Sequence, residues 1–402
     1  MYKISVIVPV FNLEKYIEKN FESIKNQSIG FSNIEVIFVD DFSSDKSVEF
    51  IDRWADEFSN VKVIHLDTNS GYGGRPRNIG LKNASSKYVL FLDGDDYLNT
   101  DGLERLYNVI SQDGDTDIAI GGYTRLNSDN TIKDKSINGD SETTIVSDSQ
   151  NELKLMDLAP AIASKLFRKD FILNNDLKFR EDISAQDLLF VNEAYFKAKK
   201  IVLINNYSVY NYNIRDGEDK SVSNNINLKQ LKNSLIAYTN LLDICEKYEI
   251  NEYMTTALIT NNLYSYVNRI RDKLEDNTLK REVVDELLNS DVYKNFRNSN
   301  FFNDNYPFNV FFNNIEYGDF KNNYFLRMIK RATIREKRYH ENIKEYKRLK
   351  AEYKKLRSNN RKLTKENNNI KKTQNEILNS TSWKMTKPIR DIKDKIKWII
   401  SN

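Results

Sequence analysis

The chain has one cysteine, Cys245, among 402 residues, and only five prolines and two histidines. A single thiol rules out a disulfide-built scaffold and fits a reducing compartment. The two histidines, His65 and His340, fall in a strand and in the heptad segment, and neither has an expected role. No run reaches the ~18 apolar residues of a membrane span. The opening Met1 to Pro9 reads as a strand and is too short for a signal peptide, so a cytoplasmic location is expected. What is present is charge, 30% of residues, unevenly placed. From Arg335 to Asn402 there are 21 Lys and Arg against 8 Asp and Glu, a balance of +13, while the preceding residues carry −10. A mildly acidic globular part therefore ends in a basic tail suited to an anionic partner.

Apolar runs of strand length alternate with helical patterns over the first 125 residues. Strands are expected at Ile4–Val10, Ile34–Val39, Val61–Leu66 and Tyr88–Leu92. Helices are expected at Leu13–Gln27, Ser47–Phe58 and from Arg77 to Asn83. Such alternation predicts an α/β fold with a parallel sheet, whose ligand site lies beyond the C-terminal strand ends. Polar residues collect at those ends: Pro9 to Asn12, Asp40 to Asp45, Asn69 to Arg77, and Asp93 to Asp96. The last cluster, Asp93-Gly-Asp-Asp96, follows a strand with three carboxylates in four positions. Hard oxygen ligands there suit Mg²⁺ or Mn²⁺ and a phosphate-bearing substrate, although an acidic turn has the same composition.

Farther on, residues 126–225 mix polar loops with strands such as Lys200–Asn205 and Ser208–Tyr212, and residues 226–333 have a mainly helical pattern without evident chemistry. Tyr346, Tyr353, Asn360, Asn367 and Gln374, with Leu349, Leu356, Leu363, Ile370 and Ile377, form an a/d heptad within 334–378. That pattern predicts a coiled coil of modest stability and a homo-oligomer, with a solvated single helix as the alternative. In the segment 379–402, Ile389, Ile392, Ile396 and Ile399 share one helical face away from Lys393, Lys395 and Lys397. A helix lying on an anionic membrane is expected, against a helix docked on the protein itself. Nothing in the tail resembles a nucleic-acid-reading motif.

Read together, the clusters resemble a family-2 glycosyltransferase with a GT-A (Rossmann-like) fold. The resemblance rests on Ser5-Val-Ile-Val-Pro-Val-Phe-Asn12, Val39-Asp-Asp-Phe-Ser-Ser-Asp45, Asn69-Ser-Gly-Tyr-Gly-Gly-Arg-Pro-Arg-Asn78 and the Asp-X-Asp at 93–95, and it covers roughly residues 1–225. The loop ending in Arg-Pro-Arg-Asn, Ser184-Ala-Gln-Asp-Leu-Leu-Phe190 and Tyr212-Asn-Ile-Arg-Asp-Gly-Glu-Asp219 are similar to enzymes that attach N-acetylglucosamine to the poly(ribitol phosphate) of wall teichoic acid. The tail Ser380-Thr-Ser-Trp-Lys-Met-Thr-Lys-Pro-Ile-Arg390 is similar to one found on bacterial surface-polysaccharide enzymes.

The resemblance implies an inverting transfer from a UDP-sugar to a hydroxyl of a surface-polymer glycan, at the inner face of the cell membrane. It implies roles as well. Asp187 would be the catalytic base, against a plain helix cap; Asp95 and Asp219 would hold Mn²⁺ or Mg²⁺. Pro9 and Asp41 would line the uracil pocket, Asn69, Arg77, Asp93 and Gly94 would hold the nucleotide sugar, and Arg215 would meet the diphosphate. Gln186 stands where the teichoic acid enzymes carry glutamate, and Asp219 where they carry histidine, which leaves donor sugar and metal preference open. The alternative from another class is an inactive domain serving as a coiled-coil scaffold.

Overall fold

The computed structural model describes residues 2–126, 132–147, 160–215 and 228–250, with shorter stretches and single positions beyond, chiefly 289–298, 369–376 and 390–395. Two compact units emerge, Met1–Asn309 and Val310–Asn402.

The first unit is built on a mixed sheet. Strands β1 (Ile4–Val10), β2 (Ile34–Asp40), β3 (Val61–His65) and β4 (Tyr88–Phe91) are parallel, in the order β3-β2-β1-β4. The sheet continues through β9 (Lys165–Arg168), antiparallel to β4, then β6 (Ile118–Leu126), β10 (Ile201–Asn213) and β5 (Tyr97–Leu98). Short strands β7 (Ile132–Asp134) and β8 (Thr143–Val146) pair with β6 and β10. The expected parallel sheet thus holds for four strands, and the rest is mixed. β1 and β2 are apolar runs because both their faces are covered: six of seven positions in β1 and all seven in β2 are buried.

Helices α1 (Ile17–Lys25), α2 (Ser47–Glu57), α3 (Gly74–Asn83) and α4 (Gly102–Ser111) connect the early strands. α5 (Lys169–Asn174), α6 (Gln186–Lys197), α7 (Leu228–Lys247) and α8 (Asp291–Asn298) follow. Amphipathic spacing puts Phe21 of α1 and Trp54 of α2 into one core, their rings stacked at 4.1 Å. On the other side Phe91 meets Phe179 at 4.9 Å and Phe190 at 5.9 Å, closing β4 against α6. Phe91 is fully buried, so truncation to alanine should cost about 3–5 kcal/mol.

Two boundaries differ from expectation for local reasons. α1 starts at Ile17, because the backbone of Leu13 and Glu14 is held in a turn by Ser47 Oγ at 2.7 Å and Asp45 Oδ2 at 2.9 Å. The segments Lys200–Asn205 and Ser208–Tyr212 form one 13-residue strand, β10. Its pairing with β6 shifts register between Leu203 and Ser208, where Asn206 takes φ +55. The ladder with β6 is interrupted there while the strand continues.

Most of the heptad segment lies outside the described residues; in the second unit, 369–376 and 391–395 are helical and exposed. Among the described residues, no helix is long and apolar enough to cross a membrane.

Candidate active site

The C-terminal ends of β1, β2 and β4 open onto a cavity of about 1070 Å³. Its walls include Pro9, Asp41, Asn69, Arg77, Asp93, Gly94, Asp95, Gln186, Asp187 and Arg215, so ten of the eleven expected site residues meet in one place. The eleventh, Asp219, lies outside the described residues.

One end of the cavity is a loop held by its own polar groups. The Asp41 carboxylate accepts from Ser70 N at 2.9 Å and Ser70 Oγ at 2.8 Å, while Asn69 Nδ2 donates to the Asp41 carbonyl at 2.9 Å. Gly71, at φ +81, donates its N–H to Asn69 Oδ1 at 2.8 Å. Glycine takes this left-handed conformation without the strain a side chain would add. Burial pushes the Asp41 carboxyl up, and the two serine bonds oppose that shift. Asp41 and Asn69 therefore shape the loop as well as line the cavity.

The floor is the acidic turn. Asn20 of α1, 1% exposed, donates from Nδ2 to the carbonyls of Asp93 at 3.0 Å and Asp96 at 2.8 Å. Gly94 fits because a Cβ there would stand 2.5 Å from Leu13 Cδ1 and 3.1 Å from the Pro9 carbonyl. Asp96 points away from the cavity: it is 2% exposed and accepts from Asn213 N at 2.9 Å, tying the turn to β10. It fixes the turn, whereas Asp93 and Asp95 face the open space.

The reacting end is organised by Arg77, in the first turn of α3. The helix begins at Gly74, three residues before the expected start. A Cβ on Gly74 would lie 2.0 Å from the Arg180 carbonyl, so only glycine lets α3 approach the loop before α6 so closely. The Arg77 side chain is 5% exposed. Nη2 is bonded to Asp93, and Nη1 lies 3.1 Å from Asp187 Oδ1. With the Gln186 amide oriented to satisfy its neighbours, Oε1 accepts from Arg77 Nη1 at 2.8 Å and Nε2 donates to the carbonyls of Ile183 at 2.6 Å and Ser184 at 3.0 Å. Arg77 thus bridges two carboxylates, an arrangement its planar fork suits.

Asp187 is the second residue of α6, and its buried Oδ1 accepts no hydrogen bond among the described residues. Burial pushes its carboxyl up to about 6, against the opposing Arg77 charge. Lys165 on β9 is 1% exposed, and burial pushes its amine down to about 7. It donates to the Ala161 carbonyl at 2.6 Å and Ser164 Oγ at 3.2 Å, and its charge favours the ionised form of Asp187. At the other end of the floor, Arg215 Nε lies 2.8 Å from Asp95 Oδ2, with its guanidinium 5.4 Å from the Tyr16 ring centre. Burial raises the Asp95 carboxyl pKa, and Arg215 opposes.

Sequence reading missed Asn20, Lys165 and the cavity-lining Gln230 and Ser234 of α7. Asn20, beside Lys19, reads as an ordinary helix position and Lys165, after Ser164, as an ordinary strand start, so neither stands out in the sequence. Among the described residues no cluster of three His, Cys, Asp or Glu forms a ready metal cage. Asp93 and Asp95 still suit Mg²⁺ or Mn²⁺, which take one or two carboxylates and complete their shell with substrate phosphates and water.

Acidic strand ends on the parallel half of the sheet, an arginine between two carboxylates and a cavity beyond those strand ends set the geometry of the site. The sequence model described as Glycosyl transferase family 2 matches residues 5–171. The chain is 30% identical over 222 residues to glycosyltransferase GlyG of Streptococcus pneumoniae, covering 53% of this chain and 71% of that protein. It belongs to glycosyl transferase family 2.

It is also 35% identical over 222 residues to the poly(ribitol-phosphate) beta-glucosyltransferase of Bacillus spizizenii, covering 55% of this chain and 34% of the relative. To the poly(ribitol-phosphate) beta-N-acetylglucosaminyltransferase TarS of Staphylococcus aureus it is 33% identical over 229 residues, covering 55% and 37%. The matched segments thus span little more than a third of these two relatives. The crystal structure of S. aureus TarS 1-349 in complex with UDP-GlcNAc superposes with a TM-score of 0.57 at 27% identity, covering 71% of this chain and 79% of that one.

Proposed function

We propose that the chain is an inverting, metal-dependent transferase that moves a sugar from UDP to a hydroxyl of an anionic bacterial envelope polymer of the teichoic acid type. One observation carries this reading: Asp187, Arg77 and Asp93 form a continuous charged bridge between the expected base and the acidic turn, inside a cavity lined by the nucleotide-loop residues. The relatives acting on poly(ribitol phosphate) support the polymer class, and the UDP-GlcNAc complex of TarS supports a UDP-sugar donor.

In this mechanism the acceptor hydroxyl attacks the anomeric carbon from the face opposite the diphosphate. Asp187 takes the hydroxyl proton as the new C–O bond forms, while the old C–O bond breaks and its electron pair leaves on the diphosphate. A carboxyl near pKa 6 is ionised at neutral pH yet basic enough for this task. Arg77 holds Asp187 on the cavity side and Asp93 on the floor. Asp95, and Asp219 beyond the described residues, would hold Mn²⁺ or Mg²⁺, which when bound neutralises the leaving diphosphate as a Lewis acid.

UDP release is the assay, with a panel of UDP-sugars, Mn²⁺ or Mg²⁺ and a short poly(ribitol phosphate) acceptor. Transfer by the unaltered protein, and its loss in Asp187→Asn and Asp95→Asn with fold retained, is the expected result. Full activity in either variant would remove the role given to that residue, and no transfer with any UDP-sugar would favour the inactive scaffold. The basic tail is proposed to hold the enzyme at an anionic membrane surface through its Ile and Lys faces and to pair copies through the heptad. Deleting 335–402 should release the protein from anionic vesicles and reduce its oligomeric state; a truncated protein that still sediments with vesicles contradicts the anchoring role.

A further inference from the structure

The first two turns of α7 lie beyond residues 5–171, the span matched by the family. Gln230, Asn233 and Ser234 have the i, i+3 and i+4 spacing of one helical face. All three are buried, at 8%, 8% and 4% exposure. Gln230 and Ser234 line the same cavity as Arg77 and Asp187. Asn233 Nδ2 donates to the Tyr72 hydroxyl at 2.6 Å, and Lys229 Nζ sits 5.9 Å from the centre of the Tyr72 ring. Tyr72 belongs to the loop that runs from Ser70, bonded to Asp41, to Arg77 at the reacting end.

α7 is also braced against α6. Lys247 Nζ lies 3.0 Å and the Tyr248 hydroxyl 2.7 Å from Glu193 Oε1. The helix carrying the expected base and the helix carrying Gln230 and Ser234 therefore pack as a pair, and both border the cavity.

We propose that this face of α7 is the sugar-reading wall of the donor site. Gln230 and Ser234 are placed to hydrogen-bond hydroxyl or acetamido groups of the transferred sugar, and Asn233 locks Tyr72 so that the nucleotide loop and the wall hold one spacing. The chemistry suits the ligand: the Gln230 amide both donates and accepts, and the Ser234 hydroxyl, whose proton goes to the Gln230 carbonyl at 3.0 Å, accepts. A site that hydrogen-bonds such groups discriminates strongly, because an analogue lacking the partner leaves a buried polar group unpaired. This inference rests on the donor assignment proposed above and adds the determinant of sugar choice.

The test is calorimetric titration of the full chain, with Mn²⁺, by UDP, UDP-glucose and UDP-N-acetylglucosamine. Gln230→Ala and Ser234→Val should bind UDP within twofold of the unaltered protein, and bind its preferred UDP-sugar at least tenfold more weakly or with reversed preference. Asn233→Leu, which frees Tyr72, should weaken UDP and UDP-sugar together. Matching thermal melts establish that each variant is folded; if one is not, Gln230→Glu and Ser234→Thr serve instead. UDP-sugar affinities unchanged in both wall variants overturn the wall while leaving the donor class intact. A parallel loss of UDP in those two variants places α7 on the nucleotide and also overturns it. An unaltered protein that binds no UDP overturns the donor assignment itself.

Discussion

Replacing Arg77 by glutamine separates two roles for this residue, a phosphate ligand and a bridge that orients the base. The guanidinium is 5% exposed and stands 3.1 Å from Asp187 while bonded to Asp93. At that distance an opposite charge contributes roughly 5 kcal/mol of gross attraction at an effective dielectric of about 20. Breaking a buried pair by removing one partner typically costs about 3–5 kcal/mol. For activity, the consequence runs through Asp187. Its carboxyl sits at about 6 with Arg77 present, and loss of an adjacent cation raises a carboxyl by about one to three pH units. At pH 7 the ionised fraction of the base then falls from roughly nine-tenths to about a tenth, a tenfold loss in rate. Misplacement of the base adds on the order of a hundredfold. We therefore expect Arg77→Gln to lower kcat by about a thousandfold at pH 7, and raising the pH to 9 to recover about tenfold of it. Arg77→Lys should recover little, because a point charge cannot bridge both carboxylates. Stopped-flow or coupled UDP-release kinetics across pH 5 to 9, with UDP titrations beside them, read this directly. A variant that keeps the original pH profile and kcat but loses UDP or UDP-sugar affinity would refute the bridge and restore the phosphate role.

Three further outcomes follow from the same structure. The unaltered enzyme should show kcat/KM rising with pH through about 6 and level above, as Asp187 ionises, and Asp187→Asn should lose this limb along with the activity; a profile flat from pH 5 to 8 would count against the base. Glu35 is fully buried, and its carboxylate accepts from Ser5 Oγ at 2.5 Å, Ser85 N at 2.7 Å and Lys62 Nζ at 2.7 Å. Urea unfolding of Glu35→Gln should report a loss of about 1.5–3 kcal/mol, and a loss below about 0.5 kcal/mol would mean the network is dispensable. His65 bonds Asp40 at 3.2 Å and Asp52 at 2.9 Å; burial lowers its pKa, but these partners outweigh that and leave it raised. Its stabilisation is therefore present below the unfolded value near 6.5 and fades as pH rises through the folded value. The Tm gap between the unaltered protein and His65→Gln should shrink from pH 5.5 to pH 9.

The sequence made the parallel half of the sheet legible because β1, β2 and β4 are apolar runs, interrupted only by Ser5 and Glu35, that end in polar residues. The carboxylates of the acidic turn were visible for the same reason. What it could not show was which of them faces the cavity: Asp96 turns inward because Asn213, 117 residues later, supplies the bond that holds it. Arg77 reads as a phosphate ligand from its loop alone, since its carboxylate partners come from positions 93 and 187. Lys165 gave no signal, because what holds its amine is the Ala161 carbonyl, a backbone acceptor placed before the turn at Ile162–Ser164. The continuity of β10 through its register shift was hidden as well. Asn205-Asn-Tyr looks like a loop between two strands, yet pairing with β6 on both sides carries the strand through it.

Charge balance links the separate parts of the site. Asp187, Arg77 and Asp93 alternate in sign, and Asp95 and Arg215 form a second pair. Both guanidiniums are therefore matched to protein carboxylates: three carboxylates face two arginines, with Lys15 also on the cavity wall and Lys165 acting on Asp187. A sugar nucleotide brings an anionic diphosphate into this already negative floor. Burial raises the pKa of both Asp95 and Asp187, so the cavity tolerates added negative charge poorly. Besides Lys15 on the cavity wall, either an arginine that leaves its carboxylate or another cation entering with the substrate would meet the diphosphate under the proposed function. Freeing Arg77 would strand Asp187 and raise the pKa of the base when it must accept a proton. Freeing Arg215 would leave Asp95 as an unpaired oxygen donor at the diphosphate end, the ligand that Mn²⁺ or Mg²⁺ prefers. The second route preserves the base and neutralises the leaving group in one rearrangement, and this asymmetry between the two arginines supports placing the metal at Asp95.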